Sequence, residues 1–328
     1  MDELSRWETL TPLARTRLIR QLRPPRLPVD PERPYAFHHE QERAPDGRLE
    51  RVNVIFLTNR ECPWTCTMCD LWRHTTTGPV SANQILRQLD YALERLPDAD
   101  AIKLYNSGSF FDRLAIPPVA YQGIAERLRG YRRVIVESHP ALLGPRTLQF
   151  QELLEGQLEV AIGVECIHPG VLEALNKRLT VADLERAVAW LHAHQLLIRA
   201  FILLKPPFLP GEAALEWTCH TVCWAVNHGI HTIVLIPTRS GNGIMERLQQ
   251  AKRFAPPTPA GIEAAAAYLF AQPVPVRLID TWDLPRFYSC PDCARLQQQR
   301  FTRINQTQTW ESFIPCPQCT TPCVNAST

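Results

Sequence analysis

Cys62, Cys66 and Cys69 stand as Cys-x3-Cys-x2-Cys within the stretch 61–70. Thiolates at this spacing cannot close a tetrahedral site by themselves. They can hold three irons of a 4Fe–4S cluster and leave the fourth iron without a protein ligand, because thiolate is soft and strongly electron-donating. An open iron can bind a small molecule and give it an electron. A zinc loop or a set of buried structural cysteines is the plainer reading of the same spacing. A second group, Cys290-Pro291-Asp292-Cys293 and Cys316-Pro317-Gln318-Cys319, forms two knuckles that together present four thiolates to one ion, the arrangement of a structural zinc site. The segments 301–305 and 309–313 between them read as two short strands, which makes the tail zinc-ribbon-like. An auxiliary iron–sulfur cluster that also uses Cys323 is the competing assignment. Arg300 and Arg303 on such a ribbon can face RNA or simply help close one end of the fold. Cys219 and Cys223 share a helix face with no further ligand near them in sequence, and they read as core.

Polar residues also recur where apolar runs stop. Asn106-Ser107-Gly108-Ser109 follows 101–105, Glu137 and His139 follow 133–136, Glu165 and Cys166 end 158–164, and Lys205 follows 197–204. Lys205 can meet an anionic or carbonyl group of a substrate or form a surface ion pair. His139 can donate a proton or be a satisfied loop histidine.

These residues need a scaffold that gathers strand ends. The runs 52–57, 101–105, 133–137, 158–165, 197–204, 231–236 and 274–280 read as buried strands. Helices fit between them. One is capped by Ser81 and carries Ile85, Leu86, Leu89, Leu93 and Leu96 on one face; another starts at Thr180, which with Asp183 matches a capping box. The remaining helices fall near 121–128, 212–227 and 258–271. Repeated βα units with apolar strands predict an α/β fold with a parallel sheet and helices outside. No glycine-rich dinucleotide fingerprint follows the first strand, so an open or closed barrel is preferred to a Rossmann half. In such barrels chemistry sits at the carboxyl ends of the strands, where the cysteine loop lies. The predicted domains are a basic, proline-rich extension over 1–50, the barrel over 51–285 and a cysteine-rich module over 286–328. In the extension, Arg15, Arg17, Arg20, Arg23 and Arg26 suggest a short basic helix before a proline-broken strap, which either touches a phosphate backbone or packs on the barrel.

The 328-residue chain carries a net charge of +2, with 45% hydrophobic and 21% charged residues, a balance that argues against a strongly basic body wrapped by nucleic acid. No apolar run reaches the length of a membrane span and no secretory signal opens the chain. The expectation is a cytoplasmic protein whose eleven cysteines serve metals rather than disulfides.

The cysteine loop, placed directly after the first strand, resembles the radical S-adenosylmethionine superfamily. The segments 103–112 and 134–140 resemble its archaeosine-forming subgroup, with the radical domain of the elongator catalytic subunit as a more distant relative. The resemblance spans roughly residues 50–285 and implies a partial (β/α)6-type barrel. It also implies a 4Fe–4S cluster on Cys62, Cys66 and Cys69 that cleaves S-adenosylmethionine to a 5′-deoxyadenosyl radical, which abstracts hydrogen from substrate. Met68 replaces the family's usual aromatic residue near the adenine. By the same resemblance, Asn106, Ser107, Gly108 and Ser109 are expected to form the turn that meets the methionine amino group, with Glu165 toward the ribose, Arg178 toward the carboxylate and Pro237 toward the adenine. Glu137 accepts from the cofactor amine or a cationic substrate, and Glu137, His139 and Lys205 are the candidate catalytic groups. The implied substrate is a deazaguanine-type nucleoside in transfer RNA, and the implied electron source is a flavodoxin or ferredoxin. Sulfur insertion with an auxiliary cluster, a small-molecule substrate, and a metal-dependent sensor that never cleaves the cofactor are the alternatives.

Overall fold

Strands buried on both faces along most of their length build the molecule around one curved sheet. A computed structural model describes residues 3–316 and 319; Cys323 lies outside them. In chain order the elements are α1 (Pro12–Leu22), β1 (Ala36–Arg43), β2 (Leu49–Phe56), α2 (Ala82–Leu93), β3 (Ala101–Tyr105), α3 (Tyr121–Arg127), β4 (Arg133–Glu137), α4 (Pro145–Leu153) and β5 (Gln157–Glu165). They continue as α5 (Pro169–Ala174), α6 (Val181–Ala193), β6 (Leu197–Leu204), α7 (Gly211–Asn227), β7 (Thr232–Pro237), α8 (Ile244–Gln250), α9 (Pro259–Phe270), β8 (Val276–Ile279) and α10 (Pro291–Thr307). The strands lie side by side in sequence order. β2 to β8 are parallel, and β1 pairs antiparallel with β2. This is the expected α/β half-barrel with one further, antiparallel strand. The β1–β2 hairpin runs through the expected boundary at residue 50, so residues 36–50 are part of the sheet.

The outward side chains of the strands, including Ile55, Leu104, Val136, Ile162 and Ile202, pack under the helices in the main core. Local signals hold the helices where the sequence places them. Ser81 Oγ accepts from the Gln84 N–H at 3.3 Å while the Gln84 side chain accepts from the Ser81 N–H at 2.9 Å. Thr180 and Asp183 form the reciprocal pair at the start of α6.

Toward the amino ends of the parallel strands the inward face is ionic: Glu50 of β2, Lys103 of β3, Arg133 of β4, Glu159 of β5 and Arg199 of β6 are buried there, with Glu42 from the carboxyl end of the antiparallel β1. Arg199 reaches Glu42 at 2.6 Å and Glu159 at 2.8 Å, and Lys103 reaches Glu42 at 2.5 Å. Burial alone would raise the Glu42 carboxyl, but Arg199 and Lys103 hold it well below the usual range. Charges taken this far from water persist only when so paired, and here they fill the floor of the half-barrel. Val52, Val54, Ala101, Ile135 and Ala161 pack among them, and the half-buried rings of Phe56, Tyr105 and Phe201 join this cluster.

The tail departs from the ribbon expectation. Residues 291–307 form the helix α10, because Ala294, Gln297, Phe301 and Ile304 make a buried stripe at helical spacing. Arg300 is buried with them, its guanidinium 4.5 Å over Phe301 and bonded to Glu263 and the Glu311 carbonyl, so it does not face RNA. Arg303 pairs with Glu311. α10 bridges the two edges of the sheet. Arg43 at the end of β1 donates to the Gln306 carbonyl at 2.8 Å. The Asn305 amide exchanges hydrogen bonds with Ile279 of β8, and the Gln308 amide does the same with Arg277. Side-chain amides thus stand in for the missing neighbour of an edge strand.

Candidate functional site

The loop after β2 carries Cys62, Cys66 and Cys69 and is fixed through its own backbone. The Asn176 amide donates to the Thr65 carbonyl at 2.9 Å; the Asn242 amide donates to the carbonyls of Thr67 and Cys69 at 2.7 and 3.1 Å. Asn242 Oδ1 in turn accepts from the Met245 N–H at the start of α8. From the amino-terminal side, Arg23 and Arg26 both pair with Glu61, and Arg23 also lies 4.4 Å over the Trp72 ring. Arg15 is buried, bonded to the carbonyls of Trp7, Glu8 and Glu173. Of the two expectations for the basic extension, the structure realises packing against the barrel. Arg239, just past β7, joins Asp70 at 3.0 Å to Asp283 at 2.7 Å and so is taken up as a strut.

Burial pushes each of the thiols of Cys62, Cys66 and Cys69 up to about 12, so in the absence of a metal they are neutral. Among the described residues, the group gathered tightly enough for a single ion is Cys290, Cys293, Cys316 and Cys319, whose ligand atoms all lie within 4.8 Å of one another. The loop cysteines are not gathered that closely, which suits a polynuclear cluster better than one zinc.

The turn after β3 lies against this loop: a Cβ at Gly108 would stand 3.4 Å from Cys62 Cβ. Glu137 holds the turn. Its Oε1 accepts from the Asn106 N–H at 2.8 Å, and the N–H groups of Ser107 and Gly108 also bind the carboxylate. Burial raises this carboxyl to about 7. Glu137 is thus occupied by backbone and positions the turn, where the sequence suggested direct contact with an amine. Ser107 Oγ meets the Tyr35 hydroxyl, and Ser109 Oγ accepts from the His139 N–H, so both hydroxyls fasten the turn. Asn106 differs: it is fully buried, and neither its Nδ2 nor its Oδ1 has a partner.

His139 is satisfied at both nitrogens. Nδ1 accepts from the Ala141 N–H and Nε2–H donates to the Lys177 carbonyl at 3.0 Å. Its ring stacks on Trp64 at 3.6 Å. Burial and the nearby Lys177 ammonium push its pKa down to about 3, so at neutral pH the ring is neutral and its one N–H is held by the Lys177 carbonyl. Of the two expectations for His139, the satisfied loop residue is what the geometry supports.

Lys177 is the cation that sequence reasoning passed over in favour of Arg178. Arg178 is exposed, whereas Lys177 is buried and donates to Glu165 Oε1 at 2.5 Å and to the Gly163 carbonyl at 2.6 Å. Burial opposes its charge, but Glu165 and the neighbouring Cys66 and Cys62 raise its pKa. A Cβ at Gly163 would run into the Lys177 Nζ and the Glu165 carboxylate, so only glycine leaves room for the pair. Ser107, Glu165 and Lys205, each at or just past a strand end, have φ of 50°, 62° and 58°. Left-handed backbone at non-glycine residues is costly and gathers at functional sites. Lys205 Nζ donates to the Pro256 carbonyl at 3.3 Å. Pro237 is buried at the end of β7, beside Thr238, whose Oγ1 is buried without a partner. Met68 packs among Phe208, Leu175 and Cys166, and Cys166 is the small buried residue expected.

Thr58, Asn59, Asn106, Asn176 and Thr238 all carry buried polar side-chain atoms without partners. All lie on loops at the carboxyl end of the half-barrel. Buried polar groups are normally paired, so these orphans, on the same end of the sheet as the cysteine loop, fit a polar ligand there.

No family model matches the chain. It is 23% identical over 302 residues to an uncharacterized protein of Methanocaldococcus jannaschii, covering 85% of this chain and 82% of that one. It is 24% identical to archaeosine synthase subunit beta of Methanosarcina acetivorans, over 65% of each chain. To the same subunit of Thermococcus kodakarensis it is 27% identical, over 58% of this chain and 62% of that one. The chain thus spans less than two thirds of the length of either archaeosine synthase subunit. In fold it is similar to a radical SAM methyltransferase from Sphaerobacter thermophilus, with a TM-score of 0.50 at 15% identity over 83% of this chain and 82% of the other. The resemblance read from the cysteine loop is therefore met in both sequence and fold. No helix among the described residues is long and apolar enough to cross a membrane.

Proposed function

We propose that the chain is a radical S-adenosylmethionine enzyme that acts on a deazaguanine-type nucleoside carried by transfer RNA. The carrying observation is the juxtaposition of the Cys62, Cys66 and Cys69 loop with the turn at Asn106–Gly108, where the buried Asn106 side chain lacks partners. The nucleoside class rests on the similarity to archaeosine synthase beta subunits. When bound, a 4Fe–4S cluster with one open iron would supply the electron for reductive cleavage of S-adenosylmethionine, and so the radical chemistry that takes hydrogen from substrate.

The chain's own residues supply position. Cys62, Cys66 and Cys69 ligate the cluster. Glu137 presents the backbone of the turn to the cofactor's amino group, and Asn106 offers its unpaired amide. Lys177, held by Glu165, places positive charge beside the cluster and toward the cofactor carboxylate. Pro237 and Met68 line the adenine side, and Lys205 faces the substrate side. Trp64, between Cys62 and Cys66, is held by its stack on His139. A flavodoxin- or ferredoxin-type donor provides the electron.

In the tail, Cys290 Sγ lies 3.9 Å from Cys316 Sγ, and Cys293 Sγ lies 3.5 Å from Cys319 Sγ. A tetrahedral ion with metal–sulfur bonds of about 2.3 Å sets sulfurs about 3.8 Å apart. These spacings support a structural zinc over an auxiliary cluster, and with it hydrogen abstraction over sulfur insertion.

Anaerobically reconstituted protein should hold about four irons per chain and release 5′-deoxyadenosine from S-adenosylmethionine on reduction. Cys62→Ala should lose both. Full turnover by that variant would sink the assignment. An unchanged nucleoside profile in transfer RNA from a deletion strain would move the substrate to small molecules.

A further inference from the structure

We propose that the mouth of the half-barrel contains a base-binding cleft, in which Trp282 and His38 stack on a planar purine-type ring and the Asp280 carboxylate accepts from a guanine-like N–H edge. The inference rests on the nucleoside reading above and names the side chains that would hold the base.

Trp282 is 63% exposed, an unusual state for so large an apolar side chain, yet it is not stranded on the outer surface. Its ring lies 5.3 Å from His38 and 6.1 Å from Phe56. The rings continue inward, Phe56 to Tyr105 at 5.9 Å and Tyr105 to Phe201 at 6.2 Å. This forms an aromatic track from the rim into the interior. Stacking on such a track is sequence-tolerant because every base has a π-face, so selectivity must come from a polar neighbour.

Asp280 is that neighbour. Val276 and Leu278 of β8 face the interior with Val234 and Phe201, and Asp280 continues their alternation at the strand's carboxyl end. Its Oδ1 accepts from the backbone N–H of Trp282 at 3.0 Å, so a tight turn sets the carboxylate beside the residue that carries the indole. No donor among the described residues meets its other oxygen. The nearest strong cation, Arg239, is already held by Asp70 and Asp283. The buried Nδ1 of His38 also lacks a partner. A carboxylate accepts only, so it matches an edge that only donates. Guanine presents N1–H and an amino group side by side, whereas adenine presents a donor next to an acceptor. A 7-deazaguanine keeps that edge and carries its substituent on the other ring, free of the grip. Because Arg239 joins Asp283 to Asp70, next to Cys69, cleft and cysteine loop belong to one braced rim.

Titration of the full-length reconstituted protein with 7-deazaguanosine, read by tryptophan fluorescence, tests the cleft. Saturable quenching is expected, with 7-deazaadenosine binding at least about tenfold more weakly. Trp282→Ala and Asp280→Asn should each weaken 7-deazaguanosine about tenfold or more, and Trp282→Phe should restore most of the affinity, measured calorimetrically. Iron content and circular dichroism report whether each variant folds. Equal affinity for the two nucleosides, wild-type affinity in both variants, or no saturable quenching at millimolar nucleoside would each overturn the cleft. Release of 5′-deoxyadenosine by the wild type is measured in parallel. Its absence would count against the enzymatic reading and not against the cleft.

Discussion

Glu137 and Lys177 show how much of the candidate site depends on single buried groups. Burial lifts the Glu137 carboxyl from its ordinary 4.5 to about 7 even though three backbone N–H groups bind it. The folded state therefore holds a proton that the unfolded chain releases earlier. The stability Glu137 contributes is complete below about pH 4.5 and is lost as pH rises through about 7. In urea titrations of the apo-protein, wild type minus Glu137→Gln should fall across that window by on the order of 3 kcal/mol and then level off. A flat difference would mean that the carboxyl is not so buried. Lys177 and Glu165 form a buried pair, so removing either partner strands the other. Lys177→Met or Glu165→Gln alone should cost about 3–5 kcal/mol. The double variant should cost clearly less than the sum, as a double-mutant cycle of unfolding free energies would report. The sequence placed polar groups at the right strand ends. It could not choose between the adjacent Lys177 and Arg178, because that choice is made by the left-handed turns at Asn176 and Arg178. Nor could it find Asn242, whose role depends on a loop distant in sequence returning to the cysteines.

At the level of elements, strands were legible wherever apolar runs were continuous: β3, β4 and β6 occupy the runs read for them. β1 was missed because AFHHEQER is mostly polar, and its pairing only makes sense once the ionic floor it serves is known. α10 was misread because Cys-Pro-x-Cys knuckles suggested a ribbon, while the stripe of Ala294, Gln297, Phe301 and Ile304 was left unweighed. In the structure one knuckle opens that helix, with Cys290 at its N-cap. The proposed metal site would thus be a clip on the helix that joins β1 to β8. Purified protein should contain about one zinc per chain beyond its iron. Stripping the zinc with a chelator that leaves the cluster intact, or replacing Cys316 with Ser, should lower the melting temperature by several degrees. Hydrogen exchange should rise in 291–307 first and in the Val276–Ile279 edge next. Unchanged exchange there would detach the clip from the seam.

Across the whole molecule, the curved parallel sheet and the location of chemistry at its carboxyl end could be read from the βα alternation alone. What lines its interior could not. Arg133, Glu159 and Arg199 interrupt otherwise apolar strands; in sequence they look like solvated edges, and they are buried only because the sheet curls and β1 brings Glu42 across to meet them. That packed, salt-bridged floor has a consequence for traffic. A tunnel open at both ends lets reactants arrive from one side and products leave from the other. This half-barrel is stoppered at one end, so everything that enters must leave by the same doorway. With the proposed base cleft at the rim of that doorway, the proposed S-adenosylmethionine must load before the base closes the way, and the spent cofactor must wait for the base to go. Rapid-mixing experiments should therefore find that preincubation with nucleoside slows S-adenosylmethionine binding, whereas preincubation with S-adenosylmethionine leaves nucleoside binding unhindered.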